Sequence, residues 1–165
     1  MLNRMKRIAV LTVVLMVMLG ASAAGQARSV ALGVGAGAVI PARSDVGTRD
    51  TSFAWGFHVN IPILETLHLS PSSELYQTAG VYATDVALAF KFMVPLRPSA
   101  LYFGVAPGLT AAGRDTAAHV GVLGGLSIPL LSNISGFAQY KHKVLFQDDT
   151  NTRMSHVTAG LLFSF

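Results

Sequence analysis

Histidines are the residues of this sequence best suited to acid–base chemistry. There are five: His58, His68, His119, His142 and His156. His156 precedes Thr158 by two residues, so the two side chains share one face if this segment is a strand. An imidazole beside a hydroxyl can act as base and nucleophile, but such a pair more commonly makes a polar contact inside a protein. We therefore predict a polar, non-catalytic role for His156 and Thr158, and an interfacial position for His142.

Metal and cofactor sites find little support in the remaining residues. A metal ion needs several converging His or carboxylate ligands, and the adjacent Asp148 and Asp149 would turn their side chains apart. Gly33, Gly35 and Gly37 alternate within a predicted strand with no helix after them, so they form no dinucleotide-binding motif. The absence of cysteine excludes disulfides and thiolate-bound metal clusters. We expect no catalytic residue, no cofactor and no metal.

The N-terminal residues have the organisation of a secretory signal peptide. Three basic residues precede an apolar run over residues 8–19, and small residues follow to position 27. The run is shorter than the roughly 20 residues that a spanning helix needs, and the small residues favour cleavage after Ala23 or Ala27. The sequence therefore predicts a cleaved signal peptide over residues 1–27 and an exported domain over residues 28–165.

The basic charge of the sequence lies mainly in that signal peptide. The full chain has 12 Lys+Arg and 8 Asp+Glu, a net charge of +4 and a pI near 9.8. Without Arg4, Lys6 and Arg7, nine basic residues face eight acidic ones, which leaves a net charge of +1. The remaining basic residues are scattered and show no aromatic–basic pattern typical of nucleic-acid binding. We therefore expect no nucleic-acid partner.

Apolar residues alternate through the exported part, which is typical of strands with two unlike faces. In residues 86–94, Val, Leu or Phe occupies every even position. The odd positions hold Ala87, Ala89, Lys91 and Met93. Similar alternation recurs in residues 52–61, 120–128 and 157–165. Helical spacing would not gather either set on one stripe, so we predict a protein built from strands.

Three prolines mark a repeat in this pattern. Pro62, Pro95 and Pro129 each close an alternating run and lie 33 and 34 residues apart, and strand ends tolerate proline because it lacks the N–H that a sheet ladder needs. The repeat predicts strands at residues 29–40, 51–62, 66–76, 82–94, 100–110, 117–129, 135–146 and 154–165. Tight turns alternate with longer loops, which are predicted at residues 41–50, 77–81, 111–116 and 147–153. An all-β, eight-stranded antiparallel up-and-down barrel satisfies this pattern.

Charge is too scarce to cover the outside of a soluble barrel. Only 12% of the residues are charged, and the bulky apolar side chains share the strand face that the polar and small residues avoid. A soluble barrel presents charge to water, so we predict the inverse, a transmembrane barrel with its apolar face toward lipid. The residues predicted to line the lumen are His58, Glu74, Lys91, Gln139, Lys141 and Lys143. We expect Glu74 to pair with these lysines, because an unpaired buried charge is costly.

Aromatic residues near the predicted strand ends suggest a girdle at the membrane interface. Membrane barrels carry such girdles at both edges of the apolar band. The residues expected to form it are Phe53, Trp55, Tyr76, Tyr82 and Tyr102.

The C-terminal segment from His156 to Phe165 resembles the signal by which bacterial outer-membrane barrels are recognised by their assembly machinery. Its apolar positions are Val157, Ala159, Leu161, Phe163 and Phe165. The preceding segment, which includes Gln139, Tyr140 and Lys141, resembles strand seven of the small OmpA-like or opacity-type barrels. The resemblance implies a porin-like barrel in the outer membrane of a Gram-negative-type cell, with both chain ends in the periplasm. It also implies outer-membrane lipid and the assembly machinery as partners.

Members of that family do different things, so the resemblance leaves the function open. Short loops and the lack of a periplasmic domain in this sequence weaken the adhesin and wall-anchor interpretations. A lipid A deacylase of this fold is expected to carry a His-x-Ser-Asn motif, which neither His142 nor His156 begins. We predict a monomeric, non-enzymatic barrel for envelope integrity or surface interaction. The alternatives are a lipid-modifying enzyme and a narrow pore.

Overall fold

The computed structural model describes residues 29–42, 51–78, 80–146 and 151–165. The predicted signal peptide, residues 1–27, lies outside the described residues. The strands are β1 (Ala31–Ala42), β2 (Ser52–Pro62), β3 (Leu67–Thr78), β4 (Val81–Leu96), β5 (Ser99–Ala112), β6 (Asp115–Leu131), β7 (Ile134–Phe146) and β8 (Asn151–Ser164). No helix in the described part of the chain is long and apolar enough to span a membrane.

The eight strands form one closed barrel. Each strand pairs antiparallel with its neighbour in sequence, and β8 closes the sheet by pairing with β1. Ala36 of β1, for example, lies opposite Trp55 of β2 on one side and Ala159 of β8 on the other. Closure leaves no open sheet edge, which a barrel needs if its backbone is to sit in lipid. The predicted all-β class, strand number and up-and-down order are confirmed.

Strand β3 runs without a break through Pro71, a residue that lacks the N–H a sheet ladder needs. On its β4 side Pro71 lies opposite Leu88. On its β2 side the pairing lapses between Ser72 and Leu69 and then resumes in the same register. There the Ser70 hydroxyl donates a hydrogen bond to the Val59 carbonyl oxygen at 2.7 Å. This side-chain bond offsets part of the ladder that proline cannot complete.

The two ends of the barrel are named here by their links. The proximal end carries the links 63–66, 97–98 and 132–133 together with the start of β1 and the end of β8. The distal end carries the turn 113–114, the end of β1, β3 and β7 and the start of β2, β4 and β8. The predicted loop 111–116 is shorter than expected, because β5 and β6 continue into a two-residue turn, and β3 and β4 likewise extend into the predicted loop 77–81. The predicted loops 41–50 and 147–153 lie largely outside the described residues. Gly113 has a φ of 62°, a left-handed conformation that a short hairpin turn needs and that glycine adopts without strain.

The outer surface of the barrel is apolar, as predicted. Large apolar side chains are exposed on seven of the strands, among them Val34, Phe57, Phe90, Phe103, Val122 and Leu161, whereas those on the outer face of β3 are partly buried. The positions between them point inward and hold small or polar side chains, for example Ala87 and Lys91 on β4. This arrangement is the reverse of a soluble barrel and is the one that lipid requires.

The predicted aromatic girdle is right for three residues and wrong for two. Phe53, Trp55 and Tyr82 are 69%, 45% and 65% exposed. Tyr76 and Tyr102 are 2% and 5% exposed and lie inside the barrel. The reason is strand parity: Tyr76 stands two residues from the inward Glu74, and Tyr102 lies between the outward Leu101 and Phe103.

Candidate functional site: the lumen charge cluster

The structure places all six residues predicted to line the lumen inside the barrel. His58, Glu74, Lys91, Gln139, Lys141 and Lys143 are all buried. Most of the buried charge is gathered in one group, which we call the lumen charge cluster. It consists of Glu74, Tyr76, Asp85, Thr110, His119, Lys141, Lys143 and His156. Lys91 lies outside it.

Two carboxylates stand at the centre of this cluster. Glu74 of β3 and Asp85 of β4 are direct partners in the antiparallel register, and like charges in that position repel. Lys141 reaches across the lumen from β7, and its Nζ lies 2.9 Å from Glu74 Oε2 and 2.9 Å from Asp85 Oδ2. One ammonium group therefore bridges both carboxylates and balances their repulsion.

Lys143, two residues further along β7, completes the cross-barrel contact. Its Nζ donates to Asp85 Oδ1 at 2.7 Å, to the Tyr76 hydroxyl at 3.0 Å and to Thr110 Oγ1 at 3.2 Å. Three acceptors suit the three N–H donors of an ammonium group. The fully buried Lys143 is therefore both neutralised and saturated with hydrogen bonds, as a buried charge must be.

Two histidines extend the cluster around the wall. His156 Nδ1 of β8 lies 2.8 Å from Glu74 Oε2. His119 Nδ1 of β6 lies 3.2 Å from Thr110 Oγ1 and 3.4 Å from Asp85 Oδ1. The Thr110 hydroxyl in turn donates to Asp85 Oδ1 at 2.7 Å. Side chains from β3, β4, β5, β6, β7 and β8 thus converge on two carboxylates.

The lumen has almost no free space beside these side chains. The interior cavities lined by His58 and Lys91 measure about 20 and 10 Å³, and a single water needs roughly 10–15 Å³. Eight strands enclose an interior that side chains can fill. The cluster therefore closes the barrel to any solute larger than about one water molecule.

Sequence reasoning missed Asp85 and His119, two of the charged or titratable members. Both follow from the alternation that located Lys91. Asp85 stands two residues before the inward Ala87, and His119 stands two residues before Gly121, which alternates with the outward Val120 and Val122. Extending each predicted face by one more position would have included them.

A second, smaller polar layer lies toward the proximal end. Lys91 Nζ sits over the Tyr102 ring at 4.8 Å from its centroid, and the Tyr102 hydroxyl donates to Gln139 Oε1 at 3.4 Å. The His58 ring packs edge-on against Phe137, with 5.1 Å between centroids. Unlike the lumen charge cluster, this layer contains no carboxylate.

His156 and Thr158 both line the lumen and are 1% and 4% exposed. This position supports the predicted polar contact, because a lipid substrate cannot reach either side chain. A different Ser–His contact lies on the outer face. There Ser155 Oγ is 3.1 Å from His142 Nδ1 and 2.9 Å from the Tyr140 hydroxyl. Within the described residues, no group of three or more His, Asp or Glu side chains is placed to hold a metal ion.

The predicted C-terminal assembly positions share the outward face of β8. Val157, Ala159, Leu161 and Phe163 are exposed to the surroundings of the barrel. Phe165 follows the strand, is 80% exposed, and its backbone N–H donates to the Val30 carbonyl at 3.0 Å. The apolar segment is therefore displayed at the proximal end, beside the start of β1.

An apolar outer face, a closed eight-stranded sheet and a polar, filled lumen together define a small transmembrane β-barrel. Solved structures of this class are similar in fold. Neisserial surface protein A aligns with a TM-score of 0.71 at 15% identity, over 82% of this chain and 97% of that one. The N-terminal barrel domain of OprF from Pseudomonas aeruginosa aligns with a TM-score of 0.55 at 13% identity, over 82% and 97%.

Ail, the attachment invasion locus protein of Yersinia pestis, aligns with a TM-score of 0.52 at 12% identity, over 83% of this chain and 97% of that one. No protein-family model matches the chain, and no curated protein matches it in sequence. The fold is that of the small OmpA-like outer-membrane barrels. Together with the apolar outer face, the likeness supports a location in the bacterial outer membrane.

Proposed function

We propose that this chain is a non-enzymatic, non-conducting barrel that serves envelope integrity or surface interaction in the outer membrane. The observation that carries the proposal is the lumen charge cluster. Its cross-barrel ion pairs fill the space that a pore would need and tie opposite walls together. Because the described distal turn 113–114 is only two residues long, it offers little surface of its own for a partner.

The proposal is tested by deleting the gene and measuring entry of a large hydrophilic antibiotic and sensitivity to detergent. We expect increased sensitivity that wild-type protein reverses. In parallel, purified barrel in planar bilayers should give no stepwise conductance. Regular single-channel steps would overturn the non-conducting part, and unchanged sensitivity together with unchanged adhesion to surfaces would overturn the envelope role.

The partners of the barrel belong to the same proposal. A closed sheet has no edge to offer a second copy, which supports a monomer surrounded by outer-membrane lipid. The outward apolar positions of β8 and the exposed Phe165 support recognition by the barrel-assembly machinery. Deleting Phe165 should lower the outer-membrane level of the protein, and an equal level of the folded, heat-modifiable form would contradict this role. Phe146→Ala, an exposed aromatic change at the distal end, is the control.

A second candidate function is modification of membrane lipids, and one observation favours it. Ser155 and His142 are directly opposite on β8 and β7, face outward, and bring a hydroxyl within 3.1 Å of an imidazole nitrogen. A base beside a hydroxyl is the minimum for acyl transfer. Mass spectrometry of membrane lipids from cells with wild-type or Ser155→Ala protein tests it. Acyl-chain changes that depend on Ser155, and not on the lumen-facing Thr158, would establish this activity in place of the non-enzymatic role.

A further inference from the structure

Lys91 is a buried cation without an anionic partner. It lies on β4 in the proximal half of the lumen and is 8% exposed. The described carboxylates are those of Glu65, Glu74, Asp85, Asp115 and the C-terminus, and none of them is within the 4.0 Å of an ion pair with Lys91. The Lys91 Nζ instead lies over the face of the Tyr102 ring, 4.8 Å from its centroid.

The nearest carboxylate is already engaged elsewhere. Glu74 acts on Lys91 only from beyond ion-pair distance, while its Oε2 contacts Lys141 at 2.9 Å and His156 at 2.8 Å. Among the described inward side chains, three lysines therefore face two carboxylates, and the excess positive charge lies at Lys91. A buried charge in this situation requires a counter-ion or must lose its proton.

A cavity adjoins this ammonium group, and a second polar side chain of its lining lacks a partner. The cavity measures about 20 Å³ and is lined by residues that include Lys91, His58, Asn60 and Tyr102. His58 is 3% exposed, and its Nε2 has no hydrogen-bond partner. A protonated Nε2 would donate a hydrogen bond, as would the Lys91 ammonium. The Asn60 Oδ1 atom also has no hydrogen-bond partner, so the lining combines the positive charge of Lys91 and a donor at protonated His58 Nε2 with one amide acceptor.

The same cavity borders an opening at the proximal end of the barrel. A larger cavity of about 460 Å³ occupies that end, and Asn60, Met93, Ser127 and Leu162 line both spaces. Access from the distal end is closed by the lumen charge cluster. A small solute therefore reaches Lys91 from the proximal end, past side chains of which Met93 is flexible.

We propose that the Lys91–His58 cavity binds one small inorganic anion of the halide class, with chloride as its physiological occupant. The volume of about 20 Å³ suits a single particle near the size of water and is too small for a lipid headgroup. The anion supplies the charge that the second polar layer lacks and accepts hydrogen bonds from Lys91 Nζ and His58 Nε2. This site is independent of the envelope role proposed above.

The test measures urea unfolding of the purified barrel in zwitterionic detergent as sodium chloride replaces sodium gluconate at constant ionic strength. We expect the unfolding midpoint to rise with chloride and then saturate, because a ligand that binds only the folded state stabilises it. Lys91→Met should abolish the rise. His58→Phe, which keeps a ring but removes the Nε2 donor, should raise the half-saturating chloride concentration about tenfold, which corresponds to one hydrogen bond to a charged group. Arg97→Gln removes an exposed cation and should leave the response unchanged.

Crystals grown in sodium bromide give a second readout that needs no variant. An anomalous peak within contact of Lys91 Nζ is expected. A flat chloride response in the wild-type protein, an equal response in Lys91→Met, or a bromide crystal that holds only water in the cavity would each overturn the proposal. If Lys91→Met does not fold, the wild-type titration and the bromide crystal decide the question by themselves.

Discussion

The distal and proximal halves of the lumen solve the burial of positive charge in opposite ways. In the distal half, Lys141 and Lys143 meet Glu74 and Asp85 at 2.7–2.9 Å. In the proximal half, Lys91 meets an aromatic ring and a cavity of about 20 Å³. The first arrangement is a set of cross-links between opposite walls. In the second, no carboxylate of the described lumen residues pairs with Lys91, so a bound anion is needed to balance its charge. The second arrangement is therefore a binding pocket.

In this filled barrel, stability and binding depend on different layers of the lumen. A buried ion pair contributes little relative to an apolar pair of the same shape, yet breaking it by removing one partner is strongly destabilising. Substitutions in the distal half should therefore be costly. The effect of a substitution at Lys91 on the free energy of unfolding should depend on whether the counter-ion is present.

The largest effect is expected for Lys141→Met. This change leaves Glu74 and Asp85 facing each other in register without the bridging ammonium, and we expect a loss of roughly 3–5 kcal/mol in the free energy of unfolding. This loss is measured by urea unfolding in detergent, with the heat-dependent shift in gel mobility reporting the folded fraction. The double variant Glu74→Gln with Lys141→Met should recover part of the loss. A barrel as stable as wild type would show that the distal contacts do not cross-link the walls.

A smaller loss is expected for Glu74→Gln. Lys141 keeps Asp85 as a partner, so only the charged contacts with Glu74 Oε2 are weakened. We expect a destabilisation of about 1.5–3 kcal/mol, the usual value for hydrogen bonds to charged groups. Glu65→Gln, in an exposed proximal link, is the matched control and should change nothing. Identical unfolding curves for the two variants would show that pairing between Glu74 and the lysines does not stabilise the barrel.

A still smaller effect is expected for Thr110→Val. The change removes the hydroxyl that donates to Asp85 Oδ1 and accepts from Lys143. The expected destabilisation is about 1 kcal/mol, typical of one hydrogen bond. Thr84→Val is the control, because Thr84 is equally buried but its hydroxyl has no hydrogen-bond partner. Equal effects of the two substitutions would mean that the Thr110 contacts carry no stability of their own.

The smallest effect is expected for Lys91→Met measured without chloride. Removing an uncompensated buried charge should leave the free energy of unfolding within about 1 kcal/mol of wild type or increase it. With chloride, the wild-type protein should become the more stable of the two. A large loss in the free energy of unfolding, both with and without chloride, would show that groups of the chain stabilise Lys91 as they do Lys141. That result would contradict the difference between the two halves of the lumen.

Much of the fold could be predicted because its signals are local. Period-two alternation and three spaced prolines located all eight strands, including β3 with its internal Pro71. The loop 111–116 was predicted too long, because Ala112 and Asp115 have residue types common in loops. In the structure they pair with each other on either side of the turn at Gly113. Tyr76 and Tyr102 were predicted to face outward because they are aromatic, although the alternation along their strands places both on the inward face.

The strands, their inward and outward faces and the polarity of the lumen follow from the sequence, because these properties depend on residues two positions apart. The pairing of side chains inside the barrel follows from how the sheet closes. Lys141 meets Glu74 across 67 residues of sequence, and this contact exists because closure brings β7 opposite β3 and β4. The same closure left Lys91 beside a cavity and not beside a carboxylate. Side-chain direction is a local property of the backbone, whereas charge pairing across a lumen depends on how the whole sheet closes.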